Sequence, residues 1–103
     1  MSDRTYTITD LRRLIQPIAA RYGVERVFLF GSYARDEAIP GSDIDLRIDS
    51  GAIRGYFELS GFHRELEEAL VSRVDVLTTG SLEDDFLSRI ADEEIMLYEQ
   101  TRH

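Results

Sequence analysis

Seven consecutive residues, Asp43-Ile44-Asp45-Leu46-Arg47-Ile48-Asp49, alternate strictly between charged and branched apolar side chains, a period of two that belongs to an extended strand. Ile44, Leu46 and Ile48 then face a core, which leaves Asp43, Asp45, Arg47 and Asp49 in a row on the opposite face. Same-face neighbours on a strand stand roughly 6 to 7 Å apart, near enough for two carboxylates to share divalent cations or to repel one another. Taken alone, a half-exposed antiparallel strand with an acidic outer face is the simpler account.

A second strand precedes this one. Val27 to Phe30 is an unbroken run of β-branched, apolar and aromatic residues that stops at Gly31-Ser32. Glycine after a strand lets a ligand approach the backbone, and Ser32 is placed to cap a short helix through Tyr33, Ala34 and Arg35. Backbone N–H groups and a hydroxyl then face one point, an arrangement suited to phosphate oxygens. A plain turn is the competing reading of the same two residues. Pro40-Gly41-Ser42 makes the turn that leads into the acidic strand.

Coupled, the two halves read Gly31-Ser32, residues 33–42, then Asp43-Ile44-Asp45. A Gly-Ser turn followed after ten residues by Asp-x-Asp resembles the signature of the polymerase-beta-like nucleotidyltransferases, and most of the chain resembles their small standalone members, the minimal nucleotidyltransferases. In that family a third carboxylate comes from a later strand, and Arg73-Val74-Asp75-Val76-Leu77 looks like that element, with Asp75 facing away from Val74 and Val76. Two departures stand out. Asp36 occupies a position where the family commonly has glycine, and Arg47 sits on the carboxylate face where many relatives carry an apolar residue. Arg47 has two open readings, a phosphate contact or a pair with Asp49.

The 103 residues suffice for one domain, 1–103, with a modest core, and 43% hydrophobic content argues for a folded globule. Twenty acidic against twelve basic residues give a formal charge of −8, which repels nucleic-acid phosphates and disfavours a polymerase or tRNA-modifying role. Without cysteine there is no disulfide, thiolate catalysis or cysteine-based zinc site. No apolar run approaches a membrane span and residues 1–6 lack a signal-peptide core, so a cytoplasmic location is expected.

In chain order, Thr7 or Thr9 caps an amphipathic helix whose apolar positions are Ile8, Leu11, Ile15, Ile18 and Tyr22; Pro17 is expected to kink it and Gly23 to end it. The first strand runs from about Glu25 to Phe30. After Asp49-Ser50-Gly51 a long helix carries Leu59, Phe62, Leu66, Ala69 and Leu70 on its inner stripe. Tyr56 and Phe57 read first as core residues, with a docking surface beside the active site as the alternative. Val71 to Thr79 supplies the third strand. Ser81-Leu82-Glu83-Asp84 has capping-box spacing, which starts a last helix at Leu82. Ile95 to Tyr98 adds an edge strand, and Glu99 to His103 reads as a frayed tail. His63 and His103 lack metal-like partner spacing and read as solvated. The tight link between the first two strands favours an antiparallel pair, and the expected α/β architecture is a mixed sheet of three to four strands with helices packed on one face, as the resemblance also implies.

The resemblance implies transfer of a nucleotidyl group from a nucleoside triphosphate, chemistry served by two divalent ions about 3.5 to 4 Å apart. Mg²⁺, or Mn²⁺, takes oxygen ligands, so Asp43 and Asp45 are the candidates for both ions, while Asp75 holds the catalytic ion and takes the acceptor's proton. Gly31 and Ser32 are the candidates for the β- and γ-phosphates. Arg35 reads either as a further phosphate contact or as a surface salt bridge to Asp36, Glu37 or another acid. Ser42 precedes the first carboxylate and is placed to orient it at the edge of the nucleotide site. Carboxylates crowded on one face repel, which raises their pKa without metal and makes cation binding stabilising.

After the third strand too few residues remain for a separate acceptor domain, so the acceptor or a partner completes the site. In the family such chains work beside a small helical HEPN partner as toxin and antitoxin. The resemblance thus implies that this chain, as antitoxin, transfers AMP from ATP to a hydroxyl of a HEPN-type toxin, a tyrosine by preference. Two alternatives stand beside it: a non-catalytic antitoxin that acts by occlusion, and a small-molecule nucleotidyltransferase. An apolar patch of Tyr56, Phe57 and Phe62 suits a homo- or hetero-oligomer.

Overall fold

The structure, a computed structural model, describes residues 5–101. Thr7 opens the first helix, α1 (Ile8–Tyr22), with a capping box in which its hydroxyl accepts from Asp10 N–H and the Asp10 carboxylate accepts from Thr7 N–H. The helix runs through Pro17 and ends at Gly23, which is left-handed at φ 73°. β1 (Arg26–Phe30) and β2 (Ile44–Asp49) pair antiparallel. α2 (Gly55–Leu70) leads into β3 (Val74–Thr78), which pairs parallel with β2. A short 3₁₀ turn (Thr79–Ser81), α3 (Asp84–Ala91) and β4 (Ile95–Glu99), antiparallel to β1, complete the described chain.

The sheet order is β3-β2-β1-β4, a mixed four-stranded sheet, as expected. Alternation sorts its two faces. Ile44, Leu46 and Ile48 of β2 and Val27 and Leu29 of β1 are fully buried against Leu11, Ile15 and Ala19 of α1 and Phe62, Leu66 and Leu70 of α2. Burial of this apolar set is the main source of stability, at about 25 cal/mol per Å² removed from water. The opposite face of β1 and β2 carries the charged residues. At its margin Phe86 of α3 packs edge-on against Phe30, ring centroids 5.9 Å apart. Among the described residues no helix is long and apolar enough to cross a membrane.

Several local expectations are corrected. Tyr56 and Phe57 are not core residues: 78% and 88% exposed, they meet edge to face at the solvent side of α2, while Phe62, expected in the same apolar patch, is fully buried. The third strand begins at Val74, because Val71 is the left-handed C-cap of α2 at φ 48° and no strand residue. Ser81 does not cap α3, since its hydroxyl donates to the Thr78 carbonyl and accepts from Thr78 Oγ1; Glu83 is the N-cap, without a side-chain bond. His63 is half-buried and bonds to the carbonyl of Val74, joining α2 to β3. His103 lies outside the described residues. Glu99 and Gln100 are tied down, the latter by its N–H to the Glu25 carbonyl at 2.8 Å. After Gly31 the chain closes successive hydrogen-bonded turns, Arg35 N–H to the Gly31 carbonyl, Asp36 N–H to that of Tyr33 and Glu37 N–H to that of Ser32, with no continuing helix.

Candidate active site

Pairing places the acidic residues. In the antiparallel register of β1 and β2, Phe30 lies opposite Asp45, so Gly31 leaves its strand directly beside that carboxylate. The approach is so close that a Cβ on Gly31 would stand 2.2 Å from Asp45 Oδ2. Gly31 is also left-handed at φ 79°, so glycine is required here for conformation as well as for space. On the other side of β2, the parallel register sets Asp75 of β3 directly against Asp45. Asp43, two residues earlier on the same side of the chain, is half-exposed and lies 3.8 Å from Arg73 Nε.

Electrostatics follow from this crowding. Partial burial, the bond to Asp75 and the charges of Asp75 and Asp43 together push the Asp45 carboxyl up to about 6, with Arg35 pulling weakly the other way. Burial is the largest cause and the neighbouring carboxylates the next, and a cation bound here would offset both.

The cleft itself has a volume of about 540 Å³. Gly31, Ser32, Arg35, Ser42, Asp43 and Asp45 line it, together with Phe30 and, from α3 and the loop after it, Phe86, Arg89, Ile90 and Glu93. Six of the seven candidates from the sequence therefore meet in one cavity. Asp75, exposed on β3, reaches it only through its contact with Asp45. Ser42 spends its hydroxyl on the turn, where Oγ accepts from Ile39 N–H at 2.9 Å. Arg35 binds Glu37 at 2.8 Å and Glu93 at 3.3 Å, so it is both ion-paired and directed at the cleft.

Arg47 takes no part in the cleft. It grips Glu94 with two bonds of 2.5 and 2.8 Å, donates to Thr79 Oγ1 at 2.7 Å and lies 4.2 Å over the ring of Phe28. Of its two readings, the pairing one holds, with Glu94 nearer than Asp49 at 3.5 Å. Asp36 points to solvent and adopts φ 58°, the backbone that glycine favours.

Sequence reasoning missed Glu93. Its carboxylate accepts from Gly31 N–H at 2.7 Å, yet in sequence it is the middle of Asp92-Glu93-Glu94, an acidic run that reads as a solvated loop.

The donors fit a divalent cation in kind. Asp45 and Asp75 supply oxygen only, their repulsion is relieved by positive charge, and a few carboxylates suffice for an ion that keeps waters and substrate oxygens in its shell. Among the described residues no three His, Asp or Glu side chains are already gathered as a closed metal site.

This fold recurs in known proteins. The profile of the nucleotidyltransferase domain matches residues 11–98. A candidate protein adenylyltransferase of Methanocaldococcus jannaschii is 40% identical over 88 residues, covering 85% of this chain and 95% of that protein. A crystal structure of a toxin–antitoxin with AMP-PNP superposes with a TM-score of 0.74 at 20% identity, covering 86% of this chain and 73% of that one. The complex of tri-AMPylated Shewanella oneidensis HEPN toxin with MNT antitoxin contains a chain matched with a TM-score of 0.70 at 18% identity, covering 91% of this chain and 74% of that one. With its profile matched over most of its length and a relative aligned nearly end to end, the chain belongs to the nucleotidyltransferase domain family.

Proposed function

We propose that the chain is a protein adenylyltransferase that moves AMP from ATP to a hydroxyl, a tyrosine by preference, of a HEPN-type toxin partner and so acts as its antitoxin. The observation that carries this reading is the in-register Asp45–Asp75 pair set against the Gly31 bend. The names of the similar proteins support the acceptor class, since one is a candidate protein adenylyltransferase and another belongs to a complex of an AMPylated HEPN toxin with MNT antitoxin. AMP-PNP in a structural neighbour supports ATP as donor.

Gly31 N–H, Ser32 and Arg35 hold the triphosphate by backbone and charge-assisted bonds. Asp43, Asp45 and Asp75 are the residues that would hold Mg²⁺ or Mn²⁺, which neutralises triphosphate charge and lowers the pKa of the attacking hydroxyl. Asp75, exposed at the open side of the pair, faces the acceptor and takes its proton. The acceptor oxygen bonds to the α-phosphorus while the bond to the β-phosphate oxygen breaks, and pyrophosphate leaves. The open cleft excludes little water by itself, so the partner's surface closes it.

The test is label transfer. Incubating the chain with α-labelled ATP, Mg²⁺ and a HEPN partner labels the partner, and Asp43→Asn with Asp45→Asn abolishes the label. Undiminished labelling by that double variant would rule out these roles.

A further inference from the structure

Glu93 occupies the place that an anionic ligand of this cleft needs. Its Oε2 accepts from Gly31 N–H at 2.7 Å, and both of its oxygens lie 3.3 Å from Arg35 Nη1. These are two of the donors assigned to the triphosphate, and a carboxylate oxygen and a phosphate oxygen make equivalent demands on them. The carboxylate does not lie there by drift, because its backbone is fixed. Glu93 N–H and Glu94 N–H both bond to the Ile90 carbonyl at the end of α3, and Arg47 clamps the Glu94 side chain to the sheet. Consecutive acids are thereby split, Glu94 held against the sheet and Glu93 aimed at Gly31, with only 23% of its side chain exposed.

We propose that Glu93 is a built-in competitor of the nucleotide: its carboxylate fills the phosphate position at Gly31 and Arg35, and a triphosphate must evict it to bind. This deepens the adenylyltransferase reading and rests on it for the identity of the ligand. Eviction places two negative groups near each other and frees a carboxylate at the cleft wall, so nucleotide affinity is held below what the same site without Glu93 would give. A ligand without phosphates does not meet Glu93 and carries no such cost.

The experiment compares Mg-ATP and adenosine binding by titration calorimetry to the full chain, Glu93→Gln, Glu93→Ala and Glu37→Gln, with Asp45→Asn as the variant that reports on the site itself. Loss of one charge-assisted bond sets the expected size, roughly tenfold tighter ATP binding in both Glu93 variants. Adenosine affinity stays unchanged. Glu37→Gln, which removes the same charge from Arg35 but leaves the Gly31 bond, gains at most about threefold. The Gly31 amide resonance shifts upfield in Glu93→Ala, and in the unmodified chain it moves on adding ATP or inorganic tripolyphosphate. Equal ATP affinity with and without Glu93, an equal gain for adenosine, or an equal gain from Glu37→Gln overturns the proposal while leaving the nucleotide site standing. No ATP binding by any variant overturns both. The near-isosteric Glu93→Gln decides the matter should the alanine variant fold poorly.

Discussion

Asp45 and Asp75 are paired residue to residue across the parallel strands β2 and β3, two like charges placed side by side on one face of the sheet. Such a pairing destabilises a sheet unless something positive lies over it. The fold therefore places like charges together where a bound cation would reduce their repulsion.

The first prediction concerns pH. Asp45 ionises near 6 in the folded chain against an ordinary 3.8, so the native state takes up its proton more readily than the unfolded chain does. Below about pH 4 both states are protonated and Asp45 costs nothing; above about pH 6 both are ionised and the full penalty applies. The shift corresponds to about 3 kcal/mol, which solvent on the open side of the cleft cuts to about 1 to 2. Asp45→Asn is thus expected to be the more stable protein by that amount at pH 7 and to lose the advantage by pH 4. Urea titrations of both proteins across this range, without metal, check it; a pH-independent difference would refute a raised Asp45 carboxyl.

Divalent metal reverses the same penalty. At a concentration 100 times the dissociation constant, Mg²⁺ or Mn²⁺ stabilises the unsubstituted chain by about 2.7 kcal/mol. Asp45→Asn gains far less. Thermal melts with and without metal separate the two, and an equal rise in both proteins would place the ion elsewhere.

Gly31→Ala tests the closest approach in the site. The new methyl meets Asp45 Oδ2 at 2.2 Å, and the left-handed backbone adds about 1 to 2 kcal/mol. The fold survives a loss of this size, but Asp45 is pushed aside. Under the proposed reaction, label transfer falls by about 100-fold or more, as expected when a reacting group moves by an ångström. Retained activity in a folded Gly31→Ala protein would show that Asp45 need not stand where it does.

Val71→Gly is expected to stabilise. A β-branched side chain at φ 48° is strained, and Val71 is 57% exposed, so the methyls lost were burying little. The gain is about 1 kcal/mol, a rise of roughly 4 to 8 °C in a domain of this size. Unchanged or lowered melting would mean that another conformation is available to this C-cap.

What was legible in the chain is what depends on short-range period and spacing. The alternation from Asp43 to Asp49 set which side chains face the core and which carboxylates share a face, and the turn glycine at Gly31 was legible because a strand ends there. Capping was legible at Thr7, where Asp10 lies at the reciprocal position, but misled at Ser81, whose hydroxyl finds the nearer Thr78 carbonyl. Val71 looked like strand by propensity, yet α2 ends there and the backbone has to reverse. Glu93 was illegible for a different reason. Its partner Gly31 is 62 residues away, and only the return of β4 alongside β1 brings the loop before it onto the cleft. Tyr56 and Phe57 were misplaced because large aromatic side chains are usually buried, whereas the whole first turn of α2 stands exposed.

Arg47→Ala is expected to be the most damaging of the changes away from the cleft. The Arg47 and Glu94 side chains are only 13% and 10% exposed, and the guanidinium is shared among Glu94, Thr79 and the face of Phe28. Removing it leaves the Glu94 charge desolvated and unpaired, a loss of about 3 kcal/mol or more. Asp49 suffers less, since Arg26 also holds it at 3.0 Å. If desolvation is the cause, taking away both charges recovers most of the loss. Arg47→Met with Glu94→Met keeps the volume over Phe28 and is expected to lie within about 1 kcal/mol of the unsubstituted chain. Chemical denaturation of the two single variants and the double closes the cycle. A double variant as unstable as Arg47→Ala would mean that stacking on Phe28 and the bond to Thr79, rather than the ion pair, hold this face of the sheet together.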